Sequence, residues 1–180
     1  MNQDCQEKLL EEVLTATADI DDDTSEEYFE TVNTKIPYLE AIIKETLRKY
    51  PPVVRLERRA GKDGLKVGGV ELYKDQLIEV PTYAVHMDPE YYPDPTRFNP
   101  ERFMPENKAN LVPYTYLPFG TGPRNCVGMR FAYQEIKLCL ARLVTRFRFV
   151  RAPTTKEPVE FRKGAFFATP LTLDLAVERR

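Results

Sequence analysis

Apolar residues recur at the spacing of an α-helix in three stretches of the chain. The first stretch is predicted to end near Ala18, and its apolar positions are Leu9, Leu10, Val13 and Leu14. The second begins near Pro37 and is stopped by Pro51 and Pro52, because proline cannot continue a helix. Its apolar stripe consists of Leu39, Ile42, Ile43, Thr46, Leu47 and Tyr50. Glu45 and Arg48 are therefore predicted to lie on the other side of this helix.

The third helical stretch follows a glycine-rich segment that ends at Cys126. Its apolar stripe consists of Ala132, Ile136, Cys139, Leu140, Leu143 and Phe147. Its charged residues fall mostly off that stripe, and they are Glu135, Lys137, Arg142 and Arg146. The pattern predicts that Cys139 is a core residue of this helix.

The rest of the chain is irregular or made of short β-rich runs. Such runs occupy residues 53–80, where Gly68 and Gly69 predict a hairpin. Residues 83–118 are dense in proline and aromatic residues, and they predict an ordered meander without long helices or strands. Near the C-terminus, 147–150 predicts a short strand, and apolar residues alternate as in a half-buried strand at Leu171, Leu173, Leu175 and Val177. The predicted class is mixed α and β, mainly α, with small peripheral antiparallel sheets.

Composition limits the classes of function. The 180 residues favour one domain, and a net charge of −2 from 26 basic and 28 acidic residues argues against nucleic-acid binding. The acidic run 19–30 is predicted to be a solvated loop without chemistry. Cys5, Cys126 and Cys139 are too few and too widely spaced for a disulfide framework or a zinc site. No apolar run approaches the roughly 20 residues of a membrane-spanning helix, so this chain carries no predicted anchor.

Cys126 stands at the end of the run PFGTGPRNC, directly ahead of the third helix. Gly120, Gly122 and Gly128 allow the backbone to pass close to a flat macrocycle. A cysteine at a helix start faces unpaired N–H groups and the positive end of the helix dipole, which stabilise a thiolate. A thiolate is the electron-donating axial ligand of haem-thiolate oxygenases. The run therefore predicts that Cys126 binds haem iron.

Two neighbours of the cysteine have a use in such a site. Phe119 could shield the sulfur, and Arg124 is placed to meet a haem propionate. The alternative interpretation is a glycine-rich turn with a buried structural cysteine ahead of an ordinary helix.

Residues 119–128 match the haem-binding signature of the cytochrome P450 family at every specified position. Glu45 and Arg48 in KETLRKYPP resemble the family's Glu-x-x-Arg helix, and PERF at 100–103 resembles its meander motif. On their own, Glu45 and Arg48 could form a surface pair worth about 0.2–0.5 kcal/mol. The resemblance implies instead a buried network that includes Arg102.

Further site residues are implied by the same resemblance. Arg58 matches the family's second propionate-binding arginine, although Arg55 and Arg59 are near enough to leave the choice open. Gly122 and Gly128 belong to the implied cofactor-binding set, and His86 is expected to be structural rather than an iron ligand. The possible substrate wall consists of Val53, Val54, Phe166 and Phe167. For the two phenylalanines, core packing within a hairpin is an equally open interpretation.

The resemblance covers nearly the whole chain and is closest to the microsomal animal branch that contains steroid and drug oxidases and thromboxane synthase. It implies that residues 1–180 form a single partial domain, the C-terminal haem-binding portion of the cytochrome P450 fold. The N-terminal anchor and the central oxygen-activating helix are expected to be absent. It also implies haem b, electrons from NADPH through NADPH-cytochrome P450 reductase, a small lipophilic substrate and the cytosolic face of the endoplasmic reticulum membrane.

Three functions stay open on the sequence. The first is a monooxygenase that inserts one atom of O2 into its substrate with electrons from a reductase. The second is an isomerase, because some family members rearrange endoperoxides on the same haem without reductase or O2. The third is a non-catalytic fragment, and the isolated chain is expected to be inactive.

Overall fold

The computed structural model describes residues 2–164 and 167–180, which are mainly helical with small antiparallel sheets. The α-helices are α1 (Gln3–Ala16), α2 (Glu26–Thr34), α3 (Pro37–Lys49), α4 (Thr82–His86) and α5 (Met129–Arg146). The strands are β1 (Leu56–Arg59), β2 (Leu65–Val67), β3 (Val70–Leu72), β4 (Leu77–Val80), β5 (Phe147–Arg151) and β6 (Leu175–Arg179). The predicted fold class is confirmed.

The hydrophobic core lies where α1, α2, α3 and α5 pack together. Its most deeply buried apolar residues are Val13, Val32, Leu39, Ile43, Ala141 and Val144. Helix α3 begins with Pro37 in its first turn and ends at Lys49, ahead of Pro51, as the sequence predicts. Residues on both its apolar and its polar sides are buried, because the meander covers the side that faces away from α5.

Helix α2 corrects the prediction that 19–30 is only a solvated loop. The hydroxyl of Ser25 accepts a hydrogen bond from the backbone N–H of Tyr28 at 3.1 Å and caps the helix. Acidic residues in the first turn favour this end of a helix, because the dipole is positive there. Tyr28, Thr31 and Val32 bury the inner side. The acidic composition had masked this i, i+3, i+4 pattern.

Helix α5 forms where it was predicted, but its buried side is rotated. Cys139 is exposed, so the prediction that it is a core residue is wrong. Lys137, Ala141 and Val144 are buried instead. The Lys137 ammonium is tolerated inside because it donates to the carboxylate of Glu40 at 2.9 Å and to a backbone carbonyl of α2 at 2.9 Å.

Three pairs of strands form the sheets, in the orders β1-β4, β2-β3 and β5-β6, all antiparallel. Gly68 and Gly69 have φ of 56° and 82° and form the predicted hairpin turn between β2 and β3. The segment between β4 and α5 holds only short helical turns in its described residues, as predicted for a meander. Strand β6 begins later than expected, and Leu173 and Val177 are 63% and 56% exposed rather than half-buried.

None of the helices in the described ranges combines the length and the apolar character that crossing a membrane requires.

Candidate functional site

Glu45 and Arg48 form an ion pair that is inaccessible to water. Arg48 Nε and Nη2 donate to the two carboxylate oxygens of Glu45 at 2.7 and 2.8 Å, and both side chains are 0% exposed. The backbone N–H of Asn99 donates to the same carboxylate at 2.8 Å. Arg102 Nε lies 3.7 Å from Glu45 Oε1. The structure therefore brings Glu45, Arg48 and Arg102 together, and α3 is buried on the side that the periodicity had assigned to solvent.

Arg48 also connects α3 to the segment between β4 and the cysteine loop. Its guanidinium donates to the carbonyl oxygens of His86 and Pro95, both at 2.8 Å. His86 Nδ1 lies 3.1 Å from the Arg48 carbonyl oxygen, and Nε2 accepts from the backbone N–H of Leu117 at 2.8 Å. Since Nε2 is an acceptor, Nδ1 carries the proton.

His86 is buried completely, as expected of a structural residue. The pKa of His86 is lowered to about 4, mainly by burial; the hydrogen bond to the Arg48 backbone opposes this shift, and the nearby Arg48 cation adds to it. The imidazole is therefore neutral near pH 7. It holds Leu117, two residues ahead of Phe119, at a fixed distance from the end of α3.

The loop that carries Cys126 is closed by its own backbone. The N–H of Cys126 donates to the carbonyl of Phe119 at 2.8 Å. Gly120 and Gly122 have φ of 70° and 72°, values that a side chain would strain, so glycine is required at both turns. Gly128 caps α5, which begins at Met129. Cys126 thus stands just ahead of the N-terminus of an 18-residue helix.

The surroundings of Cys126 fit a flat prosthetic group. Its side chain is exposed, and a Cβ added at Gly122 or Gly128 would meet no atom within 4 Å. Val127 and Phe131 beside it are exposed at 103% and 69%, so an apolar surface is available for contact. Within 2–164 and 167–180, no group of three His, Cys, Asp or Glu side chains could hold a bare metal ion.

Strand β1 places two of the three candidate arginines, Arg58 and Arg59, on opposite faces. Leu56 lies 3.8 Å from a Cβ built on Gly120, so its side chain points toward the cysteine loop. Side chains alternate along a strand, which places Arg58 on the face of Leu56 and Arg59 on the opposite one. Arg59 donates to the carbonyl oxygen of Asp75 at 3.0 Å.

Existing partners also distinguish these arginines. Arg55 contacts the carboxylates of Glu57 and Glu79 at 2.8 and 3.1 Å. Arg58 and Arg124 are exposed, and within the described ranges neither forms an ion pair with a carboxylate. Both therefore have a cation available for an anionic group such as a propionate.

Two of the residues assigned to a substrate wall, Val53 and Val54, lie beside Arg58. Val53 and Val54 line a cavity of about 490 Å³ together with Leu56 and two of the candidate arginines, Arg55 and Arg58. Val54 also lines a second, apolar cavity of about 340 Å³ together with Phe167, which is exposed. Phe166 lies outside the described residues.

Tyr133 and Tyr116, which lie outside the predicted site residues, support the stem of the loop. The ring centroid of Tyr133 lies 5.5 Å from that of Phe119, and its hydroxyl oxygen is 3.3 Å from the hydroxyl oxygen of Tyr116. The only signal in the sequence was an aromatic residue in the first turns of α5, which is a common core feature.

Known proteins resemble this chain closely. A family model described as Cytochrome P450 matches residues 1–177. Cytochrome P450 3A6 of Oryctolagus cuniculus is 43% identical over 177 residues, which cover 98% of this chain and 34% of that protein. Cytochrome P450 3A7 of Homo sapiens is 41% identical over 146 residues, which cover 81% of this chain and 29% of that protein. Cytochrome P450 3A19 of Capra hircus aegagrus is 46% identical over 126 residues, which cover 70% of this chain and 57% of that protein. The chain thus spans about a third of the length of most of these relatives.

Proposed function

The chain belongs to the cytochrome P450 family, and from this premise we propose that it is the haem-binding portion of a haem-thiolate monooxygenase. The observation that carries the proposal is the exposed Cys126, held just ahead of α5 by the hydrogen bond from its N–H to Phe119. The whole protein would insert one atom of O2 into a small lipophilic substrate, with electrons from NADPH through NADPH-cytochrome P450 reductase.

Haem b, held by a thiolate when it is bound, supplies the O–O cleavage chemistry. Cys126 would provide that thiolate, and the N–H groups and dipole at the start of α5 would stabilise its negative charge. Phe119 is half-buried beside the loop and would shield the sulfur from water. Gly122 and Gly128 leave room for the close approach of a planar ring.

Arg58 and Arg124 would hold the two propionates. Charge-assisted hydrogen bonds between guanidinium and carboxylate are strong and directional, so two such contacts fix the orientation of a planar cofactor. Arg58 is supported over Arg55 because Arg55 already contacts two carboxylates, and over Arg59 because Arg58 lies on the Leu56 face of β1. Val53, Val54 and Phe167 would contribute to the substrate wall, as would Phe166.

The Glu45, Arg48 and Arg102 network would act through the backbone. It joins α3 to His86 and to the meander, and His86 in turn holds Leu117 ahead of the cysteine loop. We assign it the role of a rigid support for the Cys126 loop, with no contact to substrate.

We also propose that residues 1–180 supply one portion of a longer domain. The remaining two thirds of its relatives' length would contain the oxygen-activating helix and the membrane anchor. The whole protein would then face the cytosol on the endoplasmic reticulum membrane.

The test uses the full-length protein and its reduced carbon monoxide complex. We expect the strongly red-shifted Soret band of thiolate ligation, and we expect Cys126→Ser to abolish it. Cys139→Ser is the matched control, because Cys139 is also an exposed thiol and lies on α5, the helix that follows Cys126. A band that survives Cys126→Ser would refute the assignment.

Product formation separates the candidate functions. NADPH-dependent oxidation of a lipophilic substrate supports the monooxygenase, whereas turnover of an endoperoxide without NADPH or O2 would identify the isomerase. Haemin titration of residues 1–180 alone tests the fragment interpretation, since tight binding and NADPH-dependent turnover by this chain would contradict it.

A further inference from the structure

Tyr133 connects α5 to the segment that enters the cysteine loop. It lies four residues after Met129, the first residue of α5, which is about one helical turn. Its ring packs against Phe119 with 5.5 Å between centroids, and its hydroxyl oxygen lies 3.3 Å from that of Tyr116. One side chain therefore contacts two residues on the far stem of the loop.

Tyr116 is itself held by the buried core. Its ring stacks on His86 at 5.7 Å with 18° between planes, and it packs against Phe103 at 4.9 Å. His86 also accepts the N–H of the next residue, Leu117. The hydrogen bond to Tyr133 therefore ties α5 to a fixed point of the core.

Both phenols are neutral at ordinary pH. Burial raises the pKa of Tyr116 and of Tyr133 above that of a free tyrosine. The contact is thus a neutral O–H···O hydrogen bond, in which either oxygen can be the donor. Removing one hydroxyl leaves the other, in a largely apolar setting, without this partner.

We propose that Tyr133 is a positioning residue for Cys126, an inference that rests on the proposed function. The loop has two ends, Phe119 on one side and the start of α5 on the other, and Tyr133 fixes the distance between them. The N–H of Cys126 donates to the carbonyl of Phe119, so a shift of Phe119 relative to α5 moves the cysteine. A metal-binding residue must be held within about 0.5 Å of its working geometry, which requires such support.

The test compares conservative variants in the full-length haem-loaded protein. Tyr133→Phe and Tyr116→Phe each remove one hydroxyl and keep the ring. The readouts are the rate at which the thiolate-type Soret band of the reduced carbon monoxide complex converts to the non-thiolate form, and the midpoint potential of the iron. We expect each variant to convert about tenfold faster than the wild type, a factor that corresponds to the loss of one buried hydrogen bond.

A double variant and a matched control isolate the effect. Tyr133→Phe combined with Tyr116→Phe should convert no faster than either single variant, because both remove the same hydrogen bond. Tyr92→Phe is the control, since Tyr92 belongs to the same aromatic cluster and its hydroxyl lies 3.5 Å from that of Thr115. We expect it to stay within about twofold of the wild type. Tyr133→Leu also removes the ring that packs against Phe119, so its Soret band should convert faster than that of Tyr133→Phe.

The possible outcomes are distinct. The inference would be overturned if the Soret band of Tyr133→Phe converted no faster than that of Tyr92→Phe. It would also be overturned if Tyr133→Phe left the midpoint potential of the iron unchanged. Loss of helical circular dichroism in step with the band in every variant would also overturn it, because it would indicate general destabilisation. A wild-type protein without a Cys126-dependent thiolate band would instead contradict the proposed function itself.

Discussion

The charges of Glu45 and Arg48 are balanced by each other and by backbone groups, without help from solvent. Two ions taken out of water lose several kcal/mol of hydration each, which only complete hydrogen bonding offsets. The Glu45 carboxylate and the Arg48 guanidinium both meet this condition. The hydrogen bonding of Arg102 is less complete, because its Nε is buried without a hydrogen-bond partner among the described residues. The pair is therefore costly to disturb, and it fixes α3 against the meander.

The first prediction concerns this pair. Arg48→Ala should lower the free energy of unfolding by about 3–5 kcal/mol, because it removes both side-chain hydrogen bonds to the buried Glu45 carboxylate and leaves it with only the more distant Arg102 cation and the Asn99 N–H. Glu45→Gln should also be strongly destabilising, and the double variant should lose less than the sum. Urea unfolding followed by circular dichroism measures these changes. Lys8→Ala is the control: the Lys8–Glu101 pair is as short, at 2.6 Å, but exposed, and should contribute less than about 1 kcal/mol. Small additive losses at Glu45 and Arg48 would contradict the buried-network interpretation.

The second prediction concerns His86 and pH. Its folded-state pKa, about 4, is below the value of 6.5 expected in the unfolded chain, so the unfolded state binds more protons between these values. Stability should therefore be fully present above pH 6.5 and fall as pH falls toward 4, by about 3 kcal/mol from this residue. The measurement is the free energy of unfolding in urea at several pH values. In His86→Asn, the free energy of unfolding should depend less steeply on pH between 4 and 6.5, because the contribution of His86 is removed. Equal slopes in both proteins would refute the prediction.

At the scale of elements, α2 and α5 depend on each other. Helix α2 contributes Tyr28 and Val32 to the core, and a carbonyl at its C-terminal end accepts a hydrogen bond from Lys137. At the other end, Asp23 accepts hydrogen bonds from Arg142 and Arg146 of α5. The acidic segment ahead of α2 is thus held against α5 by hydrogen bonds from basic side chains and is not free in solvent.

The third prediction tests the cap of α2. Ser25→Ala should destabilise the protein by about 1 kcal/mol, because the N–H of Tyr28 loses its acceptor. Ser25→Asp keeps an acceptor at the same position and should retain wild-type stability. The midpoint of thermal unfolding of both variants measures this. Equal destabilisation by alanine and aspartate would indicate that the side chain acts by some means other than capping.

The molecule as a whole exposes more surface than its size requires. A compact monomer of 20.9 kDa is expected to expose about 9,000 Å², whereas this chain exposes 12190 Å². Part of the excess is apolar, at Phe131 beside the cysteine and at Leu171, Leu173 and Val177 near the C-terminus. Apolar surface of this kind is usually covered by a partner or by another part of the same protein.

The fourth prediction follows from that surface. Residues 1–180 expressed alone should self-associate at micromolar concentration, because association buries the exposed apolar side chains. Sedimentation velocity should show species larger than 20.9 kDa. Replacement of Leu173 and Val177 by glutamate should shift the distribution toward the monomer. A wild-type chain that sediments as a monomer over this range would contradict the prediction.

Local patterns in the sequence determined the features that depend on nearby residues. Proline boundaries located α3, the glycine pair at 68–69 located a hairpin, and the glycines around Cys126 indicated a cysteine ahead of a helix. Each of these depends on backbone dihedral preferences or on the helical period, which are encoded within about ten residues.

Burial was decided only by the tertiary structure. Periodicity assigned Glu45, Arg48 and Lys137 to polar faces, yet all three are buried, and it assigned Cys139 to the core, yet Cys139 is exposed; only the family resemblance had implied that Glu45 and Arg48 are buried. Periodicity identifies which residues share a face of a helix, but not whether a second element covers the opposite face. The meander covers α3, and α2 covers part of α5, through contacts between residues far apart in sequence. Those contacts satisfy the buried charges, so the periodicity of a single helix cannot identify them.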